Sequence, residues 1–515
     1  MARGAQGIFL LPCIALILGA VASSARAQAT DASASAISEL RSAVTVQRSG
    51  AHHDLLRALR ALRDPSLTPL FSRLTSHDDA VIRINGILGL AELSEARRID
   101  PWLISKLDSE ANRLYAVNLA IGLNLVTPAD LRLMLGWNDL QETPRLAILA
   151  DLVRRREQVS PDEVRPLLAS TTEAVKTVAA CLMVQLTDSR EWIQPFLSRL
   201  ETLDDKARLK DELWLVSDIG RYRLDRMQWW LDAILARPAL DPALEQVAIA
   251  SSLRTDAERG VSAWRKRLAA ARTGTERSRL GLLLFAAAAE MDIPADPFAL
   301  LRDGEILNDR VAAAGAALAT PEKAAAALRE VIDLDHWRSS EIVMIAVERL
   351  PVAERLGVLE HAVRRMFRSD HRREEREAIA IRAIAMLVEL DAPRALALLA
   401  EAEDDSRQQE ALLMGLLASN RPEALEGARK LRRIGLGRAD SLALILIARH
   451  SESLTASELR DLGAIASGQG RVSPSHKVQA AWLYLRHAKR IEHAMAELFR
   501  SSGGAGDART GGASR

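Results

Sequence analysis

Aromatic residues are scarce in this chain, and their scarcity limits the choice of fold. Only 4% of the 515 residues are Phe, Trp or Tyr, although 48% are hydrophobic, so Ala and Leu must supply most of the apolar mass. Ala and Leu lead the helix scale, whereas β-branched and aromatic residues carry strand preference. This composition excludes a disordered or collagen-like chain and predicts an all-α fold.

An excess of charge of one sign is also missing. The chain has 69 Lys and Arg against 68 Asp and Glu, a formal net charge of +1. A dedicated nucleic-acid binder normally shows a strong basic excess, so no nucleic-acid partner is expected.

Cysteine is nearly absent as well, with Cys13 and Cys181 the only two. Cys181 lies in the apolar stretch 178–183 and is expected to be a buried, inert thiol.

The N-terminal segment has the pattern of a signal peptide. Arg3 precedes an apolar run from Ile8 to Ala22, and an A-x-A motif follows at 25–27. The run of about fifteen residues is too short to span a bilayer, and no later run is longer. We expect cleavage of residues 1–27 and export to the periplasm or beyond the cell, as in a bacterial envelope. Cleavage after Ala29 and an uncleaved anchor are the alternatives.

A recurring pattern places an acid three or four residues before a base, followed by a wholly apolar helix. The pairs are Asp79 with Arg83, Glu110 with Arg113, Glu142 with Arg145, Glu173 with Lys176, Asp205 with Arg208, and Glu276 with Arg279. The first five bases, at 83, 113, 145, 176 and 208, follow one another at steps of 30, 32, 31 and 32. A period of about 33 indicates stacked supersecondary units.

A second set of helices, more amphipathic, has clear start signals. Each places a hydroxyl at the N-cap, proline at the first helical position and an acid in the first turn: Thr127-Pro128, Ser160-Pro161 and Thr320-Pro321. The two helix types therefore alternate as a repeated helical hairpin. Later buried helices are expected near 241–253, 275–290, 306–319, 340–350, 376–390, 408–419, 440–450 and 476–488, which gives about thirteen units.

The segments Asp78-Asp-Ala-Val-Ile-Arg83 and Glu173-Ala-Val-Lys176 resemble HEAT repeats, and more broadly the armadillo-like helical superfamily. The resemblance covers about residues 50–490. It implies an α-solenoid of about thirteen stacked hairpins, with acids and bases forming a ladder between neighbours. The period is shorter than the usual roughly 40, and several units lack the base. Tetratricopeptide repeats would need more tyrosines, and ankyrin repeats would need recurring T-P-L-H turns.

These patterns divide the chain into four predicted parts. The expected parts are a signal peptide at 1–27, a flexible leader with a first helix at 28–48, a HEAT-like α-solenoid at 49–490, and a terminal helix end with a disordered tail at 491–515.

Motifs of catalysis and metal binding are missing from the sequence. It contains no H-E-x-x-H, C-x-x-C, G-x-S-x-G or Gly-rich phosphate loop after a strand. His77-Asp78-Asp79 is expected to be a capped helix start rather than a metal site. We therefore expect no cofactor and no metal, and a protein that is not an enzyme. A cell-envelope enzyme or accessory factor, with a site assembled across repeats, is the alternative.

Two features are candidate binding sites. One is a basic cluster consisting of Arg364, Arg365, Arg368, Arg372 and Arg373. Clustered guanidinium groups suit a phosphate, an anionic lipid head group or an acidic partner, so an anionic membrane or polymer binder is a further alternative. A solvated helix end would also explain the cluster.

The other candidate is the pair Trp229 and Trp230. Adjacent helix positions diverge by about 100°, so one Trp is expected in the core and the other near the surface. An exposed Trp would be a natural binding hot spot, although plain core packing is the favoured explanation of the pair. The sequence thus predicts an exported scaffold or adaptor that binds a protein or peptide through the concave surface of a solenoid.

Overall fold

The computed structural model describes residues 32–273, 350–366, 373–399, 401, 406–419, 421–432 and 435–500, together with isolated positions between 276 and 348. Within these ranges all regular secondary structure is helical and no strand occurs, which confirms the all-α prediction. No helix of this described part combines the length and apolar character that crossing a bilayer requires.

The chain divides into two compact units. We call Arg98–Asp391 the central unit, and we call the remainder, Met1–Arg97 with Ala392–Arg515, the terminal unit. The terminal unit begins with four helices: α1 (32–44), α2 (Ala51–Ala61), α3 (Thr68–Leu74) and α4 (Ala80–Leu93).

The described helices of the central unit are short and closely spaced. They are α5 (Pro101–Ser105), α6 (Glu110–Gly122), α7 (Pro128–Leu135), α8 (Glu142–Arg154), α9 (Pro161–Val164), α10 (Glu173–Thr187), α11 (Gln194–Thr202), α12 (Asp205–Tyr222), α13 (Gln228–Leu235), α14 (Pro242–Thr255), α15 (Ala257–Ala270), α16 (Val352–Met366) and α17 (Arg373–Leu390). Short 3-10 turns occur at Pro65–Leu67, Arg165–Ala169, Arg190–Ile193 and Asp225–Met227.

The terminal unit resumes with seven helices. They are α18 (Ala392–Leu399), α19 (Ser406–Ala418), α20 (Ala424–Leu431), α21 (Arg438–His450), α22 (Ala456–Ala466), α23 (Pro474–His487) and α24 (Ile491–Phe499). Helices α14, α17, α19, α21 and α23 lie where buried helices were predicted. The helices predicted at 275–290, 306–319 and 340–350 lie largely or wholly outside the described residues.

The predicted start signals of the amphipathic helices are confirmed where the structure describes them. Thr127 and Asp130 form a reciprocal capping box on α7, in which the Thr127 amide donates to the Asp130 carboxylate at 2.8 Å. Ser160 and Glu163 form the same box on α9, also with an amide–carboxylate distance of 2.8 Å. Thr320-Pro321 lies outside the described residues. The two boxes satisfy amides that a helix start otherwise leaves without partners.

Consecutive helices pack as pairs, for example α3 with α4, α5 with α6, α7 with α8 and α13 with α14. We call the later member of each pair a second helix. The second helices of the central unit also pack on one another, from α6 through α8, α10 and α12 to α14. Glycine permits close packing in this layer, because a Cβ at Gly220 of α12 would lie 2.7 Å from the Ser251 Cα of α14. The second helices therefore form a continuous packed layer.

Ion pairs join residues about one predicted period apart. Three arginine–carboxylate pairs have N–O distances of 2.6 Å and sequence separations of 31 or 32: Arg60 with Glu92, Arg98 with Asp130, and Arg132 with Glu163. Some of the acids and bases that were paired from the sequence bond to other residues instead. Arg113, for example, donates to the Asp139 carboxylate at 2.7 Å.

The terminal unit brings the two ends of the described chain into one core. Helix α2 packs on α23, and the Trp482 indole of α23 donates to the Ser66 hydroxyl at 3.0 Å. Arg486 pairs with the buried carboxylate of Asp64 at 2.5 Å. In an open repeat array each unit contacts only its neighbours, so periodicity alone does not predict this packing.

Candidate functional site

The described part of the predicted basic cluster is neutralised by acids. Arg365 of α16 lies half-buried, with its Nε 3.1 Å from the Asp333 carboxylate. Arg364, one residue earlier, reaches Glu360 at 3.4 Å. His361 also contacts Asp333, at 3.0 Å. These two arginines are thus held in local ion pairs.

The rest of the cluster is not brought together with them in the described structure. Arg368 and Arg372 lie outside the described residues. Arg373 begins α17, but its side chain also lies outside the described part. The cluster stays a prediction as a binding site.

The two adjacent tryptophans of α13 have different environments. Trp230 is buried in the core, whereas Trp229 is half-buried. The Arg190 guanidinium lies over the Trp229 ring, 4.6 Å from its centroid, which is within cation–π range. The divergence of the pair follows the helical geometry, and the Arg190 contact covers the ring that was expected near the surface. Trp102 of α5 is the more exposed indole, at 63%.

A polar cavity lies where three second helices of the central unit meet. Its volume is about 320 Å³. It is lined by Asn118, Ile121 and Gly122 of α6, by Ala147, Asp151 and Arg154 of α8, and by Arg221 and Tyr222 of α12. We call this cavity the second-helix pocket.

Helical spacing aims these side chains at the pocket. Asn118, Ile121 and Gly122 are three and four residues apart on α6, so they share one face of the helix. Ala147 and Asp151 have the same relation on α8. Gly122 contributes space, because a Cβ built there would meet nothing within 4 Å. Small residues on two helices thus leave room for a ligand group.

Asp151 is the one acid among the described residues that line the pocket, and both of its carboxylate oxygens bind arginines. Asp151 is buried, and its two carboxylate oxygens accept separately from Arg154 Nε and Arg155 Nε, each at 2.7 Å. Buried carboxylates are stable when paired and hydrogen-bonded in this way. Asp151 therefore holds Arg154 at the pocket wall and has little capacity for a ligand cation.

Arg221 and Tyr222 form the wall on α12. Arg221 Nη2 donates to the Asn118 side-chain oxygen at 3.4 Å, and its guanidinium lies 5.2 Å from the centroid of the Tyr222 ring. Burial raises the pKa of Tyr222, which stays a neutral hydroxyl at physiological pH. That hydroxyl has no hydrogen-bond partner among the described residues.

Asp218 lies one turn before Tyr222 on α12 and is half-buried. Burial raises the pKa of its carboxyl to about 6, and the charge of Arg221 opposes this rise. No hydrogen bond or ion pair satisfies its carboxylate within the described structure. On the neighbouring helix α10, burial and the charge of Asp218 raise the pKa of the Cys181 thiol. Cys181 is thus a buried thiol, as the sequence predicted.

None of the polar residues of this site was predicted from the sequence. A signal was present for two of them, because Asn118 and Asp151 interrupt the apolar stretches 114–121 and 146–153. A polar residue at such a position is either paired inside the layer or faces a cavity.

Among the described residues, no group of three or more His, Cys, Asp or Glu is placed to hold a metal ion. Comparisons with family models, curated proteins and solved structures find no match to this chain.

Proposed function

We propose that this chain is an exported, HEAT-like helical repeat protein that binds a protein or peptide and works as a scaffold or adaptor rather than an enzyme. The binding surface is the face of the second helices in the central unit. The observation that carries the proposal is the second-helix pocket, where α6, α8 and α12 present polar side chains at an opening in an apolar layer. Specific binding sites typically combine such concavity with a few convergent polar groups.

Exposed apolar surface beside the pocket also supports the proposal. Tyr115 of α6 is 47% exposed, and it precedes Asn118 by three residues and Gly122 by seven. This spacing places Tyr115 on the helix face that lines the pocket. Tyrosines on such a rim are favoured contact residues in protein interfaces.

Site-specific photo-crosslinking tests this surface. We would place a benzophenone side chain at position 115. The control position is Leu133, which is 62% exposed on α7, the earlier helix of its pair. In cells that naturally make the protein, position 115 is expected to give a discrete adduct with a protein or peptide identified by mass spectrometry. Position 133 is expected to give none.

Two outcomes would contradict the proposal. One is equal crosslinking from positions 115 and 133, which would show that the second-helix face is not selective. The other is turnover of a cell-wall or phosphoester substrate that disappears in Asp218→Asn. A half-buried carboxyl with a raised pKa is a feature of catalytic acids, so this variant separates an enzyme from a scaffold.

A further inference from the structure

We propose that the second-helix pocket binds a carboxylate group of the ligand; this inference rests on the proposed function of the second-helix face. The lining side-chain groups that lack a partner within the described structure can all donate hydrogen bonds. The Tyr222 hydroxyl, the Asn118 amide nitrogen and Arg154 Nη1 make no hydrogen bond among the described residues. Within the described structure the only hydrogen bond of the Arg221 side chain is to the Asn118 oxygen, at a long 3.4 Å.

The acceptors at the same place are already occupied. Both oxygens of Asp151 are bonded to Arg154 and Arg155. Asn118 uses its oxygen for Arg221. A ligand that supplies acceptors can therefore bond to all of these donors, whereas the Tyr222 hydroxyl is the one unbonded acceptor that the described lining side chains offer to a ligand that supplies donors.

Charge favours an anion in this position. Among the lining residues, Arg154 and Arg221 carry two positive charges against one negative charge on Asp151. Asp218 is the nearby counter-charge, and it faces Arg221 and Tyr222 on its own helix and Cys181 on α10. Its raised pKa means that part of this opposing charge is removed by protonation near pH 6. The net field at the pocket is positive or neutral.

Size and shape favour a carboxylate over a larger anion. A cavity of about 320 Å³ admits a small acid or one acidic side chain. A planar carboxylate matches the two parallel N–H groups of a guanidinium, and a tyrosine hydroxyl can donate to it at the same time. The carboxylate has two possible sources, an acidic side chain or the free C-terminus of a peptide.

Ligand-observed NMR titrations of the full chain test the inference at fixed ionic strength. N-acetylglutamic acid α-amide supplies a side-chain carboxylate, and N-acetylalanine supplies a C-terminal one. The matched amides, N-acetylglutamine amide and N-acetylalanine amide, remove the charge. At least one acid is expected to bind, at least about tenfold more tightly than its amide. The acid that binds more tightly identifies the source of the carboxylate.

Two variants locate the binding. Arg221→Gln is expected to weaken acid binding about tenfold, because it removes a charged donor. Tyr222→Phe removes only a hydroxyl and is expected to weaken binding severalfold while leaving the fold intact. The control is Arg265→Gln, which removes an exposed arginine on α15 of the same unit and should leave affinity unchanged.

Several results would overturn the inference. They are equal binding of acids and amides, binding of inorganic phosphate but of neither acid, or equal affinity of wild type, Arg221→Gln and Tyr222→Phe. If any of these occurs while crosslinking at Tyr115 persists, the carboxylate assignment fails but the proposed function of the surface stands. If acid binding is intact but no crosslinked adduct forms at position 115, the carboxylate assignment stands and the proposed function of the surface fails.

Discussion

The guanidinium of Arg221 donates to the side-chain oxygen of Asn118 over 3.4 Å, although 103 residues separate the two in sequence. Asn118 belongs to α6 and Arg221 to α12, with α8 and α10 between them in the chain. Packed helices lie about 8–10 Å apart, so a straight row would separate α6 and α12 by roughly 27 Å. Helix α8 also contacts α12 directly. The second helices therefore converge, and this convergence creates the pocket.

Replacing Asp218 by Asn is expected to stabilise the protein above pH 6. Burial raises the pKa of this carboxyl to about 6, so the folded state holds its proton more tightly than the unfolded state. Stability from this group is therefore present at low pH and is lost as pH rises through about 6. The gain in the free energy of unfolding at pH 7.5 should be about 2 kcal/mol.

Urea unfolding at pH 7.5 and pH 4 measures this effect. Asp218→Asn should exceed wild type at the higher pH and match it more closely at the lower. Glu201→Gln, at an exposed position on α11, is a control for the loss of one negative charge. A destabilised Asp218→Asn at pH 7.5 would show that the ionised carboxylate is held by a favourable contact.

Two arginines at corresponding positions of neighbouring hairpins should differ greatly in importance. Arg113 is buried and donates to the carbonyl oxygens of Leu107 at 2.8 Å and of Asp139 at 2.9 Å. Arg145, one period later, has no side-chain partner among the described residues. Arg113→Gln should lower the free energy of unfolding by about 3 kcal/mol, because it leaves buried acceptors unsatisfied.

Arg145→Gln should change the free energy of unfolding by no more than about 0.5 kcal/mol. Chemical denaturation of both variants under one set of conditions makes the comparison. Similar losses for the two would indicate that the arginines act through net charge rather than through the contacts of Arg113.

The ion pair between Asp64 and Arg486 should stabilise the terminal unit. Asp64 is buried, and its carboxylate lies 2.5 Å from Arg486. Arg486→Gln leaves the carboxylate without its charged partner, and we expect a loss of about 3 kcal/mol. The double variant Asp64→Asn/Arg486→Gln should recover part of that loss, since the buried side chain at position 64 then carries no charge.

A second double-mutant cycle supplies the control for this pair. Arg226 and Asp188 are 2.7 Å apart but exposed, so their coupling should be below about 1 kcal/mol. Equal coupling energies in the two cycles would mean that burial adds nothing to the contact between the ends of the chain.

His450 should make the terminal unit sensitive to acid. Its Nε2 is buried and has no hydrogen-bond partner in the part of the chain that the structure describes. Burial, together with the charges of Arg449 and Arg486, lowers the pKa of His450 to about 4. The unfolded chain binds this proton at higher pH, so stability contributed by neutral His450 is lost as pH falls from about 6.5 to 4. His450→Gln should flatten the pH dependence of the melting temperature in that window. An unchanged slope would assign the acid sensitivity to other groups.

The sequence predicted the local structure well because its signals are local. Thr127-Pro128 and Ser160-Pro161 are capping signals that act within one helical turn, and the apolar segment 440–450 is buried and helical as predicted. The pocket depends instead on how α6, α8 and α12 converge, and no spacing within one hairpin contains that information. A repeated pattern also does not specify which distant helix will pack on the helices at its N-terminal end, as α23 packs on α2.

The shared core of α2 and α23 affects the order in which this protein can fold. Contacts such as that between Ser66 and Trp482 span 416 positions of the chain, so they cannot form until nearly all of it has been synthesised. Closing so long a loop costs conformational entropy and slows folding, while the central unit needs only shorter-range contacts. During synthesis the face of α2 that packs on α23 therefore remains without its final partner for most of the elongation time. It is the segment at which a nascent-chain chaperone would be expected to bind.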